Sequence, residues 1–412
     1  MDEKKIQKKN IIWNMIGGTI YPFISFVLLI VVTRINGQSN AGIFTFSYTL
    51  TLLFSYISQY FGRTYQVTET DNSIKNKDYL MSRYITCFIS IMLTILLIFI
   101  NKYDIYKTTI ILSLTLWKTI ESIIEVFFGM LHKNNELYKV GFSLFLRTIF
   151  IIVLFILVDL ITKNLIYATF SLSIATILVF LIYDIRNIKT LINLDEKYSK
   201  ENIKKIMKTG FLPFAITVLS YYYINSTKLS LEGILSNDLQ AVFGILIMPT
   251  TIMLLFNQYI IAPLLTKIRE MIKNNDYLRL KKLTTKLIII ITLLGIITTI
   301  LGVFIGLPIM QLIYGIKLTE YRLCFTIILC GAIFYSISYL LSNILISIRK
   351  NIAQSIVYLI LSLISFVIAP IIVKSGIFSA SLLYAIQMLI LIIFFLIIVY
   401  YNFNKEVKIK NG

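Results

Sequence analysis

Apolar residues gather into twelve stretches of about 20 residues, the length an α-helix needs to cross the hydrocarbon core of a bilayer. They cover residues 11–33, 41–62, 80–100, 108–130, 140–158, 164–184, 207–230, 239–266, 284–306, 321–347, 352–373 and 379–402. Polar residues collect between them, and the cations among these are unevenly shared. The N-terminus, every second loop and the C-terminal tail hold 29 of the 39 Lys and Arg. The other side holds nine, Lys118 and Lys228 included, and Arg147 is the remaining one. This alternation is the positive-inside pattern of a polytopic membrane protein, and it places both termini in the cytoplasm.

Composition agrees with lipid as the solvent. Mean hydropathy is +0.83. Hydrophobic residues make up 58% of the 412, against roughly 45–50% in a soluble globular chain. The net charge of +19 includes no basic run shaped for nucleic acid, so attraction of cytoplasmic loops to anionic headgroups accounts for it. Cys87, Cys324 and Cys330 all fall in apolar stretches, which predicts no disulfide framework. The polar start, Met1-Asp2-Glu3-Lys4-Lys5, leads into a full-length span without a cleavage signature, so the first span is expected to be retained.

The chain divides at its midpoint. The pattern predicts a six-helix N-terminal lobe over 1–185, a cytoplasmic linker over 186–206 and a six-helix C-terminal lobe over 207–412. Along 185–206, Ile188, Leu191, Ile192 and Leu194 share part of one face, as in a helix lying in the membrane interface. A faint repeat relates the lobes. Tyr21-Pro22-Phe23 in span 1 matches Leu212-Pro213-Phe214 in span 7, and each proline is expected to kink its helix. Arg34 follows Pro22 by twelve residues, as Asn225 follows Pro213. The 4–5 loop, His132-Lys133-Asn134-Asn135, matches the 10–11 loop, Ile348-Arg349-Lys350-Asn351. The expected fold is therefore all-α, two six-helix bundles related by a pseudo-two-fold axis along the membrane normal.

Ionisable residues inside spans are costly and usually face a bundle interior or a watery cavity. Span 4 sets Lys118, Glu121 and Glu125 on one helix face, and span 5 adds Arg147. Two readings stand side by side. In one, the cations hold an anionic group in a cavity and a glutamate binds a coupling ion. In the other, Lys118–Glu121 and Arg147–Glu125 are pairs that stabilise helix packing. Arg34, Lys228, Arg322 and Lys374 form a second group toward the outer side. Long cations near helix ends snorkel to water, which accounts for Arg34, Arg322 and Lys374. Lys228 follows the polar run Asn225-Ser226-Thr227 and is the stronger candidate for an anion. Tyr221-Tyr222-Tyr223 suits an interfacial aromatic belt, with sugar stacking as the other use. His132 is the single histidine, so no metal site and no cofactor are expected. No phosphate-binding glycine loop or nucleophile elbow is found, and hydrolysis of ATP is not expected.

Several short motifs resemble those of a known family. Lys9-Asn10-Ile11-Ile12-Trp13-Asn14, Thr33-Arg34-Ile35-Asn36-Gly37 and Ala41-Gly42-Ile43-Phe44 are similar to the opening of the Wzx-type polysaccharide flippases. These export O-antigen and capsule repeat units and belong to the multidrug/oligosaccharidyl-lipid/polysaccharide (MOP) exporter superfamily. Lys228-Leu229-Ser230-Leu231-Glu232-Gly233 and Ala241-Val242-Phe243 echo the motif in the second half. Gly129-Met130-Leu131-His132-Lys133-Asn134 looks like the family's basic 4–5 loop. The likeness covers the chain in topology, and its motifs are short, so their order carries it. Many relatives have an acid late in span 7, where this chain reads Asn225 to Lys228, which puts that acid's coupling role in doubt.

The resemblance implies a MATE-like fold, no enzyme activity, and flipping of an undecaprenyl-diphosphate-linked oligosaccharide across the bacterial cytoplasmic membrane by alternating access. Arg34, Lys118, Arg147 and Lys228 would line its cationic cavity, Glu121 and Glu125 would couple H+ or Na+, and a polysaccharide polymerase would be a partner. Competing expectations are a cation or drug antiporter of the same superfamily, a teichoic-acid precursor or lipid II flippase, and a polymerase or O-acyltransferase. The positive interior argues against the first, and the short outer loops without histidine against the last.

Overall fold

A computed structural model describes residues 3–60, 62–69, 71, 73–189, 191, 197–261 and 263–411. No strand occurs among them. Helix α1 (Glu3–Ile20) passes through a 3-10 turn at Tyr21–Phe23 into α2 (Ile24–Ile35). Then come α3 (Gln38–Gln59), α4 (Gly62–Thr68), α5 (Asn76–Asn101), α6 (Ile105–Lys133) and α7 (Leu137–Thr162). Helix α8 (Leu165–Val179) continues through a π turn at Phe180–Asp184 into α9 (Ile185–Ile188). After it follow α10 (Lys200–Leu229), α11 (Asn237–Ile261), α12 (Leu264–Lys273) and α13 (Tyr277–Leu301). A second π turn, Gly302–Gly306, leads to α14 (Leu307–Tyr314). The chain ends in α15 (Arg322–Ser347), α16 (Asn351–Ile372) and α17 (Ile377–Asn411).

Among the described residues the twelve apolar stretches fall on these helices and the turns that join them, and ten helical segments are long and apolar enough to cross a membrane. Helices α6 and α10 stand outside that set. The first carries Lys118, Glu121 and Glu125, and the second the polar run from Tyr221 to Lys228. Polar residues on a spanning helix have to face protein or water.

The chain forms two compact units, Met1–Val218 and Leu219–Gly412, with the boundary inside α10. In the first, α1 and α7 cross through bare backbone. A Cβ built on Gly17 would stand 2.1 Å from the Gly141 carbonyl oxygen, and one on Gly141 would stand 2.2 Å from the Trp13 carbonyl. Small residues allow that approach where lipid supplies no hydrophobic drive between helices. Helix α3 buries Thr45, Ser47, Thr49, Thr51, Ser55 and Ser58 for the same reason. Pro22 sits within the 3-10 turn, where the missing N–H and the fixed φ tighten the helix. Pro213 lies inside α10, whose helix runs on, and its carbonyl accepts the Thr217 hydroxyl at 2.9 Å.

The expected interfacial helix over 185–206 takes another form. The helix ends at Ile188, which is 1% exposed. Ile188 packs with Ile124, Phe127, Phe128 and Ile206, and Leu191 rests on the same cluster, so these apolar residues are satisfied by protein instead of lipid. Ile192 and Leu194 lie outside the described residues. Past them, Asp78 ties the start of α10 down. Its fully buried carboxylate accepts Lys75 N at 2.9 Å, Ser199 N at 2.7 Å and Asn202 Nδ2 at 2.8 Å. The amphipathic segment is instead α12. Within span 8, α11 is described to Ile261 and α12 from Leu264 with Pro263 as its N-cap, and Ile268 is buried between the exposed Lys267 and Arg269.

In the second unit α15 lies along α17, where Gly331 leaves space for the Tyr384 ring, 2.8 Å from a built Cβ. The matched loops share one hydrogen-bond pattern, shifted by two residues from the sequence pairing. Glu136 N donates to Leu131 O at 2.9 Å around Asn135, whose φ is +60°. Lys350 N donates to Leu345 O at 2.8 Å around Arg349, also at +60°. Each helix thus closes on a left-handed residue that satisfies its last carbonyls.

Candidate functional site

Helix α6 begins where Asp104 accepts Lys107 N at 2.8 Å, an N-cap that fixes its start and hence which side chains point inward. One turn separates Lys118 from Glu121, so both share a face. Lys118 Nζ lies 2.8 Å from Glu121 Oε2, with 9% and 8% of the side chains exposed. The Tyr21 hydroxyl, on the proline turn, donates to Glu121 Oε1. Aromatic rings wall the ammonium: the Trp117 centroid at 3.8 Å, Tyr21 at 5.6 Å and Tyr48 at 5.8 Å. Trp117 is fixed in turn by its indole N–H, which donates to Thr176 Oγ1 at 3.0 Å. Each ring face attracts the cation where little water competes. The site is neutral as it stands, one ammonium against one carboxylate.

Arg147 pairs with Asp184, not with Glu125. Arg147 Nη2 lies 2.9 Å from Asp184 Oδ2, with 2% and 1% of the side chains exposed, and the guanidinium sits 5.2 Å from the Phe128 ring. The π turn at 180–184 ends on Asp184, and such a turn re-aims a side chain within a helix. Among the described residues, Arg147 Nε and Asp184 Oδ1 have no hydrogen-bond partner. Glu125 faces Arg63 Nε at 3.8 Å, both about a quarter exposed.

Among the remaining candidates, Arg34 is exposed in the last turn of α2, and Arg322 and Lys374 are exposed at helix ends, in keeping with snorkelling. Lys228 differs. It is 9% exposed, and among the described residues no carboxylate lies within 4.0 Å of it. Its neighbours in sequence hold a neutral polar hub. Thr227 Oγ1 donates to Gln387 Oε1 at 2.7 Å, and Gln387 Nε2 reaches Ser226 and Ser365, each at 3.0 Å. Tyr223 is buried and donates to Gln387 O at 2.7 Å, so it belongs to this hub and not to an aromatic belt.

Sequence reading passed over three residues. Asp184 closes the apolar stretch 164–184 and Asp159 directly follows 140–158, a signal that was available. Asp159 is fully buried and accepts Asn36 Nδ2 at 3.0 Å through Oδ1, and its Oδ2 has no donor among the described residues. Gln387 is an amide in a long apolar run, a weaker signal. At the C-terminal end of α6, burial and the nearby Arg63 push His132 below its ordinary pKa, with Glu125 opposing.

No sequence profile of a known family matches the chain. The capsular polysaccharide biosynthesis protein CapF of Staphylococcus aureus is 25% identical over 333 residues, 79% of this chain and 82% of that protein. An inward-facing multidrug resistance MATE family transporter of the MOP superfamily superposes with a TM-score of 0.67 at 12% identity, covering 97% of this chain and 99% of that one. The eukaryotic MATE transporter AtDTX14 gives 0.59 at 13% identity, with 98% of each chain covered. The chain has the fold of these MOP-superfamily transporters, an all-α, multi-pass membrane architecture. Both comparisons agree with the resemblance to polysaccharide flippases of that superfamily.

Proposed function

We propose that this protein flips an undecaprenyl-diphosphate-linked oligosaccharide from the inner to the outer leaflet of a bacterial cytoplasmic membrane, for surface polysaccharide assembly. Its two lobes rock to expose one site alternately, and it performs no catalysis. The observation that carries the reading is Lys228, a buried ammonium with no acidic partner among the described residues. Removing such a charge from water costs several kcal/mol, a cost that an anionic ligand would offset. Charge-assisted hydrogen bonds suit a diphosphate. Arg34 would add charge toward the outer side, while Lys118 and Arg147 reach the ligand only by leaving Glu121 and Asp184. The CapF likeness supports a role in capsular polysaccharide biosynthesis. The cation-rich loops support cytoplasmic termini. Glu121 and Glu125 remain the proposed sites for a coupling H+ or Na+, and a polymerase the proposed partner for the exported unit.

A second reading, a drug or cation antiporter, is favoured by Asp159, whose buried Oδ2 has no donor among the described residues. One experiment separates the two. In cells depleted of the protein, the flippase reading expects a complete lipid-linked repeat unit to accumulate and surface glycan to fall. Unchanged glycan together with hypersensitivity to cationic dyes would favour the antiporter.

A further inference from the structure

The Lys118–Glu121 pair is built unlike a purely structural ion pair. Both side chains are more than nine-tenths buried, yet the surrounding Tyr21, Tyr48 and Tyr56 are only partly buried, so the pair lies one layer beneath the surface of its lobe. The two members are also held independently. Lys118 rests among three rings, which stabilise the cation without Glu121. Glu121 keeps the Tyr21 hydroxyl without Lys118. A pair whose members each have a second partner can open without leaving either one bare.

Resting on the flippase reading above, we propose that this pair is an exchangeable counter-ion: a phosphate of the cargo takes Lys118 from Glu121, and Glu121, left with Tyr21, takes up one proton from water. The chemistry follows from charge. With the anion on Lys118, an ionised Glu121 would be a second negative charge a few ångströms away in a medium of low dielectric, and like charges so placed do not both stay ionised. One proton binds one carboxylate oxygen, and no other bond changes. Tyr21 then becomes the acceptor of the new carboxyl O–H or turns aside.

The charged and titratable groups around Glu121 permit this. On its own helix stand Lys118 and, one turn on, Glu125, which α4 answers with Arg63 at 3.8 Å. Helix α3 brings Tyr48 and Tyr56, both in electrostatic reach of Lys118. Helix α7 brings Arg147, in reach of Tyr21 and already neutralised by Asp184. Helix α5 brings Arg83 and Cys87, the latter against the Thr119 carbonyl at 4.0 Å. Only Glu121 is both bonded to Lys118 and supported by a second donor. A diphosphate diester carries about two negative charges, so one accompanying proton leaves a net anion whose export still runs with an inside-negative potential.

The test is binding of an undecaprenyl-diphosphate-linked monosaccharide to the full-length protein in nanodiscs. The probe is a diester, so its phosphates stay ionised across the range. Its affinity is expected to fall about tenfold per pH unit above a midpoint, the linkage of a single proton. Glu121→Gln imitates the protonated carboxyl and is expected to bind tightly at every pH. Tyr21→Phe removes a donor from the carboxylate and is expected to move the midpoint to higher pH. Lys118→Met combined with Glu121→Gln keeps the pair neutral, so the fold survives, and is expected to lose at least tenfold in affinity. The inference is overturned if Glu121→Gln keeps the wild-type pH profile, or if the double variant binds like wild type. The flippase reading fails separately if the wild type binds this probe no more tightly than its neutral undecaprenyl-alcohol counterpart at any pH.

Discussion

Arg147 on α7 meets Asp184, on the π turn that follows α8, at 2.9 Å, and only 2% and 1% of the two side chains are exposed. The pair is fully desolvated, so deleting one member strands the other. Arg147→Ala is expected to destabilise the first unit by about 3–5 kcal/mol. Replacing both, Arg147→Met with Asp184→Leu, is expected to be far milder, because two desolvation costs disappear together. Thermal unfolding in detergent of the single and double variants checks this. A single variant as stable as wild type would refute it.

Helices α1 and α7 depend on two glycines. Gly141→Val would drive its Cβ into the Trp13 backbone, which has no flexible end to yield, so loss of folded, monodisperse protein is expected. Gly18, next to Gly17 but with nothing within 4 Å, provides the contrast. Gly18→Ala is expected to gain about 0.5–1 kcal/mol from helix propensity. Size-exclusion profiles and melting temperatures read both outcomes.

Gln387 holds Ser226, Thr227 and Ser365 in the second unit. Gln387→Leu removes the acceptor of Thr227 and the donor to Ser226 and Ser365, while Ser226 keeps the Tyr223 carbonyl at 2.8 Å, at about 0.6 kcal/mol for each lost bond by the measure of membrane helices. The melting temperature is expected to drop by a few degrees. A larger consequence is expected in transport, because the hub orders the turn that carries Lys228.

Asp71 pairs with Lys205 and accepts Ser73 N at 2.8 Å, and the two contacts hold its carboxyl well below the ordinary range. A depressed native pKa favours the docked state above the unfolded value and loses that benefit as pH falls. The start of α10 is therefore expected to loosen from the 71–78 segment as pH drops below about 4. Hydrogen exchange at residues 200–209 measures it. Asp71→Asn is expected to show the faster exchange already at neutral pH.

The sequence made the spans legible because twenty apolar residues between polar loops admit few other structures. It also placed Lys118 and Glu121 on one face, since i, i+3 spacing needs no tertiary knowledge. The partner of Arg147 was not legible: a π turn at 180–184 aims Asp184, and nothing local announces a π turn. The linker misled for a related reason. Ile188 and Leu191 have the spacing of an interfacial face, but apolar side chains pack equally well on protein, and Phe127 and Ile206 were waiting there. The loop repeat was found two residues out of register because it matched residue types, whereas the shared feature is a left-handed residue, Asn135 in one loop and Arg349 in the other.

The account turns on cargo carrying a diphosphate. The most direct measurement is flipping in proteoliposomes loaded with an undecaprenyl-diphosphate-linked oligosaccharide, read by lectin capture at the outer face. The wild-type protein is expected to raise capture above protein-free vesicles, and Lys228→Gln to reduce it at least tenfold while folding normally. Capture equal to protein-free vesicles, with uptake of a cationic dye into the same liposomes, would contradict the account.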